Sequence, residues 1–163
     1  MKFIHSLSEI LHSIEKILAI ILCILMLVSL SLGVFYRYVL SSPLNWSDET
    51  AIFSLAWLTF IGGSMSIKRQ NSAAVTLFMD KMTGKTKKVL FGISLLSVLL
   101  FALYIFYLSV MWLSSSNIMI QRSNSMQLPM IIPYLSVPVS FFFISIHSLD
   151  LILKNFQGKK EAL

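Results

Sequence analysis

Residues able to bind an ion or carry a charge through a bilayer would have to sit within its apolar depth, as carboxylates, histidines or broken helices. In this chain of 163 residues the titratable groups avoid such positions. Residues 17–36, 50–67, 89–113 and 128–149 contain no Asp, Glu, Lys or Arg. His147 is the one imidazole among them and lies near the end of the last block, three residues before Asp150. A histidine satisfied at the membrane edge fits that position better than a ligand. His5 and His12 fall outside the blocks, so facing axial haem ligands are missing. The single cysteine, Cys23, can form no internal disulfide and no cysteine-based metal site. Asn117, Gln121, Arg122 and Asn124 form a polar group only between the blocks. The expectation is a chain with no catalytic residues, no metal and no cofactor, and not an enzyme.

The residue types left to consider cluster around residues 36–62. Tyr36, Arg37, Tyr38 and Val39 close the first block with aromatics and a cation that can snorkel to the headgroups. After Pro43, Trp46, Ser47, Asp48 and Glu49 open the second block. Ser47 reads as an N-cap, and the two acids fall in the first turn, where the positive end of the helix dipole favours them. That capping role accounts for both acids without any function. A pair between Arg37 and either Asp48 or Glu49 would hold the two blocks together across the turn. Trp57, Phe60 and Gly62 continue along the second block to the basic pair Lys68 and Arg69.

Positioning these residues falls to elements that composition defines. Hydrophobic residues make up 56% of the chain and charged residues 12%, with a mean hydropathy of +0.82. Soluble domains carry roughly 25% charged residues, so a water-soluble fold is excluded. The four uncharged blocks run 20, 18, 25 and 22 residues. About 20 apolar residues cross the hydrocarbon as a helix, and blocks of this length without two-residue alternation are not barrel strands. The chain therefore reads as an all-α integral membrane protein, a single membrane domain over residues 1–163. Its spans are expected at about 17–39, 47–67, 88–113 and 128–152.

The formal net charge of +6 could suggest a nucleic-acid partner, but its distribution speaks for topology. Eleven Lys and Arg flank the blocks on one side, in residues 1–16, 68–88 and 154–160, against Arg37 and Arg122 on the other. The positive-inside rule places both termini and the middle loop in the cytoplasm, with the whole excess charge there and no nucleic acid implied. No small-residue cleavage site precedes Arg37, so the first block is expected to be retained as an anchor.

Phe3, Ile4, Leu7, Ile10, Leu11 and Ile14 recur at helical spacing opposite His5, Ser8, Glu9, His12 and Ser13. Residues 1–16 thus predict an amphipathic helix in the cytoplasmic interface, turning into the first span. Val75, Phe78, Met79 and Met82 make a shorter stripe in the middle loop. Lipid and protein are equally good partners for both stripes. Ser29 with Gly33, Thr59 with Gly63 and Gly62 with Ser66 are small pairs suited to close helix approach. Pro129, Pro133 and Pro138 either kink the outer half of the fourth span or, for the first two, precede it.

Arg37, the run from Trp46 through Glu49, then Trp57, Phe60, Gly62 and Lys68–Arg69 resemble the pattern of the small membrane (Q) subunit of TRAP transporters, the tripartite ATP-independent periplasmic systems, in the DctQ-like family. Four spans and internal termini agree with it along nearly the whole chain. Members often carry a histidine and an aspartate after the basic pair, where Ser72 and Thr76 stand here. The resemblance implies a non-catalytic scaffold in the bacterial cytoplasmic membrane. Its partners would be the lipid bilayer, a large multi-span subunit that binds sodium and substrate and moves them by an elevator motion, and a periplasmic substrate-binding protein. An organic acid is implied as substrate, a sialic acid or a C4-dicarboxylate among the possibilities. Arg37, Trp46, Asp48, Glu49, Trp57, Phe60 and Gly62 would then serve the subunit interface or the local structure. The competing reading is a homo-oligomeric channel lined by Ser29, Ser94 and Ser97.

Overall fold

The structure, a computed structural model, describes residues 2–69 and 85–157. The stripe at residues 75–82, Ser72 and Thr76 lie outside them. Helix α1 runs over Lys2–Tyr38, α2 over Asn45–Arg69 and α3 over Lys85–Leu113. Two short helices follow, α4 at Ser116–Ile120 and α5 at Ile131–Tyr134, before α6 at Ser136–Gln157. Four helical stretches are long and apolar enough to cross a membrane. Among the described residues there is no strand, only an isolated bridge between Arg122 and Pro129.

No turn separates residues 2–16 from the first span. Neither Pro nor Gly occurs before Gly33, so nothing breaks the hydrogen-bond ladder, and the N-terminal stretch continues straight into α1. At 37 residues the helix is about 55 Å long, whereas the hydrocarbon is about 30 Å thick. Its end comes where Ser41 takes a left-handed backbone, φ 51°, and the Ser42 N–H reaches back to the Tyr36 carbonyl at 3.1 Å. Pro43 then separates it from α2.

The prolines before α6 do not kink it. Pro129 pairs with Arg122 in the preceding loop, Pro133 lies in α5, and Pro138 is the third residue of α6, in the first turn, where no intrahelical N–H is lost. Of the two placements open from the sequence, the structure adopts the one in which the long helix starts after Pro133.

Helix α6 is the centre of the bundle, packing against α1, α2 and α3. Half of its most apolar stretch is buried, against 11% for α1. Ile61, Leu95, Leu99, Ala102, Ile144 and Leu151 make the apolar core. Serines do much of the remaining packing: Ser54, Ser64, Ser140 and Ser148 are buried, and the hydroxyls of Ser54 and Ser145 donate to the carbonyls of Thr50 and Phe141 one turn back. Ser29 is 2% exposed inside the bundle, while Ser94 and Ser97 lie on its outer surface. These three serines therefore share no common lining. The outer faces of α1 and α3 remain apolar and open, from Ile17, Ile21 and Ile24 to Leu100, Tyr104 and Tyr107.

Candidate functional site

Two polar joints hold the bundle, one at each end. The joint at the end formed by residues 39–44 and 114–135 contains most of the residues singled out from the sequence. Helices α1 and α2 meet there through Gly33. A Cβ at that position would stand 2.6 Å from the Ser47 hydroxyl oxygen, so only glycine admits this approach. Ser47 is not a cap. It is buried within α2, and its hydroxyl donates to the Leu44 carbonyl at 2.9 Å rather than accepting from a backbone N–H.

Asp48 and Glu49, adjacent in sequence, reach in different directions. Arg37 Nη2 donates to Asp48 Oδ2 at 3.1 Å, both side chains more than half exposed. Glu49 instead receives the backbone N–H groups of Ser125 at 2.7 Å and Met126 at 3.0 Å. It thereby fastens to α2 the loop that Ser123–Leu128 and Met130–Gln121 backbone bonds shape. Trp57 donates its indole N–H to the Ile132 carbonyl at 3.2 Å, and Phe60 packs on Phe141 of α6 with ring centroids 6.3 Å apart. Each of these five side chains ties one part of this chain to another. Trp46 is 39% exposed, and a Cβ at Gly62 or Gly63 would meet nothing within 4 Å. The small pairs of α2 thus face outward, in contrast to Ser29 and Gly33 of α1.

The opposite end holds a larger and drier joint. The amphipathic pattern of residues 1–16 predicts a water-facing side with Ser8 and His12. The structure turns both inward, because α2 and α6 present Lys68, His147 and Asp150 to them. Lys68 Nζ donates to Glu9 Oε1 at 2.9 Å, to Asp150 Oδ2 at 2.9 Å and to Ser8 Oγ at 2.6 Å. Three donors are all an ammonium possesses, so Lys68 is fully used in joining three helices. Ser8 accepts from Lys68, which leaves its own proton for His147 Nδ1, 2.8 Å away. The tautomer follows: Nδ1 accepts, and Nε2 carries the hydrogen directed at Glu15 Oε2, 3.2 Å away. Ser8, Glu15 and His147 are all wholly buried. His5 at 3.4 Å and Lys154 at 3.6 Å complete the surroundings of Asp150.

A serine, a histidine and a glutamate in hydrogen-bonded sequence are the parts of a nucleophilic triad. Here Ser8 is 0% exposed and its oxygen is already engaged by Lys68, so no substrate carbonyl can reach it. The apolar cleft at Phe106, Val110, Pro138 and Phe142 lies at the other end of the bundle. Among the described residues no group of His, Cys, Asp and Glu is arranged to hold a metal. Chemically the joint is a clamp. Its signal was present in the sequence, as His5, Ser8, His12 and Glu15 at steps of three and four facing His147, Asp150 and Lys154 at the same steps. Treating α1 and α6 separately concealed it.

Comparison with known proteins agrees with this architecture. A family model described as "Tripartite ATP-independent periplasmic transporters, DctQ component" matches residues 25–158. The chain is 30% identical over 81 residues, 50% of its length, to the sialic acid TRAP transporter small permease protein SiaQ of Vibrio cholerae serotype O1. It is 27% identical over 105 residues, 64% of its length, to the isethionate TRAP transporter permease protein DctMQ of Oleidesulfovibrio alaskensis. The matches span 47% of the first relative and 16% of the second.

Proposed function

We propose that this chain, which belongs to the DctQ component family of tripartite ATP-independent periplasmic transporters, is a fixed scaffold that carries no solute itself. The observation that supports the reading is the placement of charge. Every ionic contact with a buried partner among the described residues lies at the end where residues 2–16 meet Lys68 and Asp150, and those of Lys68 and His147 hold helix to helix. The middle of the bundle offers apolar side chains and serines, none suited to an ion or a carboxylate in transit.

On this reading the ions and the substrate are handled by a large membrane subunit, sodium among them, and this chain widens its immobile part. The apolar outer faces of α1 and α3 supply the surface for that subunit and for lipid. Trp46 and Gly62, exposed and outside the ties described above, are the members of the predicted set assigned to a partner. Arg37, Asp48, Glu49, Trp57 and Phe60 shape the surface behind them. That one relative is a permease named DctMQ supports a partnership in the membrane. A sialic acid, as the first relative's name carries, or another organic acid is the substrate class. A periplasmic binding protein would dock at the end containing residues 114–135. Both termini would lie in the cytoplasm, where eleven basic residues belong.

Co-purification is the test. Tagged at its N-terminus and solubilised in mild detergent, the chain is expected to bring down a multi-span membrane protein, and Trp46→Ala or Gly62→Leu to reduce the yield without reducing membrane insertion. Recovery of the chain alone in every detergent contradicts the reading.

A further inference from the structure

The cations at the clamped end of the bundle fall into two groups. Lys68 and Lys154 are engaged by carboxylates: Lys68 Nζ lies 2.9 Å from Glu9 and 2.9 Å from Asp150, and Lys154 Nζ lies 3.6 Å from Asp150. Glu15, the third carboxylate of the joint, is wholly buried against His147. Lys16 and Arg69 are exposed, and among the described residues neither pairs with a carboxylate. All three acids are thus taken up inside the joint, and two positive charges stand uncompensated on its rim.

The fold brings these two cations to the same place. Helices α1 and α2 run antiparallel, with Gly33 against Ser47 at one end and Glu9 against Lys68 at the other. The charges of Lys16 and Arg69 act on the same ring, that of His12. Each cation also follows a clamp residue in sequence, Lys16 after the 0% exposed Glu15 and Arg69 after the 8% exposed Lys68. The joint therefore fixes both backbones and leaves both side chains pointing out of it.

Their depth is set by the apolar stretches beside them. Lys16 immediately precedes residues 17–36, and Lys68 and Arg69 immediately follow residues 50–67. From Ile17 to Tyr38 α1 rises about 33 Å, which matches a hydrocarbon layer about 30 Å thick and puts Lys16 at the level of the headgroups. The face of α1 that carries Lys16 continues through Ile20, Ile24 and Leu27 at steps of three and four, all of them exposed. A cationic rim at headgroup level, next to an open apolar face, is complementary to a molecule that is anionic at one end and hydrocarbon at the other.

We propose that Lys16 and Arg69 bind the headgroup of one anionic phospholipid, whose acyl chains lie along Ile20, Ile24 and Leu27. The phosphate accepts from the Lys16 ammonium and from the Arg69 guanidinium, whose paired N–H donors match two phosphate oxygens. A zwitterionic headgroup brings its own ammonium, which competes with these side chains, so the site selects lipids of net negative charge. An acidic protein segment would meet the two charges but not the apolar face below them. The bound lipid sets the level at which α1, unbroken from Lys2 to Tyr38, leaves the hydrocarbon. The site rests on the membrane placement of α1 and α2 alone, and its failure leaves the scaffold reading untouched.

The test is native mass spectrometry of the full-length chain in mild detergent, titrated with phosphatidylglycerol or with phosphatidylcholine. Wild type is expected to retain a single phosphatidylglycerol with an affinity about thirtyfold above that for phosphatidylcholine, the effect of two cations facing an anionic headgroup. The double variant Lys16→Gln with Arg69→Gln is expected to lose that preference. Lys159→Gln with Lys160→Gln removes the same charge near the C-terminus and is expected to keep it. No preference in wild type, or equal loss in the two double variants, overturns the proposal. A Lys16→Gln, Arg69→Gln protein that keeps the lipid preference but no longer brings down a multi-span protein assigns the cations to a protein partner and overturns it as well. Should that variant fail to fold, wild type with a phosphatidylglycerol carrying a photoreactive headgroup decides. Attachment must concentrate around residues 16 and 69, and attachment spread over all the basic segments overturns the proposal.

Discussion

The two polar joints of this bundle are built from similar residue types and behave as opposites. At the end bearing residues 39–44, Arg37 and Asp48 are eleven residues apart, exposed, and joined by one 3.1 Å contact. At the other end Lys68 joins residues sixty and eighty-two positions away, itself 8% exposed and facing an Asp150 that is 3% exposed. An ion pair in water gains little over its separated, hydrated partners. A dry pair cannot be broken singly without stranding a charge. The first joint can therefore adjust to whatever covers it, whereas the second fixes the relative positions of α1, α2 and α6.

Lys68→Ala should show that contrast at its largest. It leaves Glu9, Asp150 and Ser8 without their common donor, and a loss of about 3–5 kcal/mol is expected, read as the unfolding midpoint of the purified chain in mixed micelles. Lys68→Met, which fills the volume without the charge, should recover none of it. A loss below about 1 kcal/mol would place the clamp in the same class as the exposed pair.

Gly33→Val comes next. Its Cβ would lie 2.6 Å from Ser47 Oγ and 3.2 Å from Ser47 Cβ, forcing α1 and α2 apart at a cost of about 1–3 kcal/mol. Gly62→Val, open on all sides within this chain, should cost this chain's own packing much less by the same unfolding measurement.

Smaller effects belong to the exposed joint. Glu49→Gln should leave global stability almost unchanged and speed amide exchange at Ser125 and Met126, whose N–H groups the carboxylate accepts. Arg37→Ala should shift stability by less than about 1 kcal/mol, and the shift should shrink further as salt is added.

How much of this was legible beforehand follows the same division. The four helices could be read because each carries its own apolar stretch, a local property of the chain. The link from Arg37 to the start of α2 could be read as well, since a short turn brings residues 37 and 48 together whatever the rest of the fold does. Which acid it takes could not, because Asp48 and Glu49 differ only in direction around a helix whose start was placed two residues late. The same offset made Ser47 look like a cap. The clamp escaped because Ser8, Lys68 and His147 come from three distant helices, and nothing in the pattern of α1 says that its polar side meets protein rather than water. The pattern of residues 2–16 does not distinguish a turn at the membrane surface from the unbroken helix Lys2–Tyr38 that the structure has. A polar side satisfied within the bundle removes the need for a turn.

Reconstitution tests the central claim most directly. Proteoliposomes containing the purified chain alone, the large subunit proposed as its partner alone, or both are supplied with a sodium gradient, labelled sialic acid and the binding protein proposed to dock on it. The account predicts uptake only when both membrane proteins are present, with the chain alone indistinguishable from empty liposomes. Solute movement by this chain alone, or full uptake by the large subunit without it, would contradict the account.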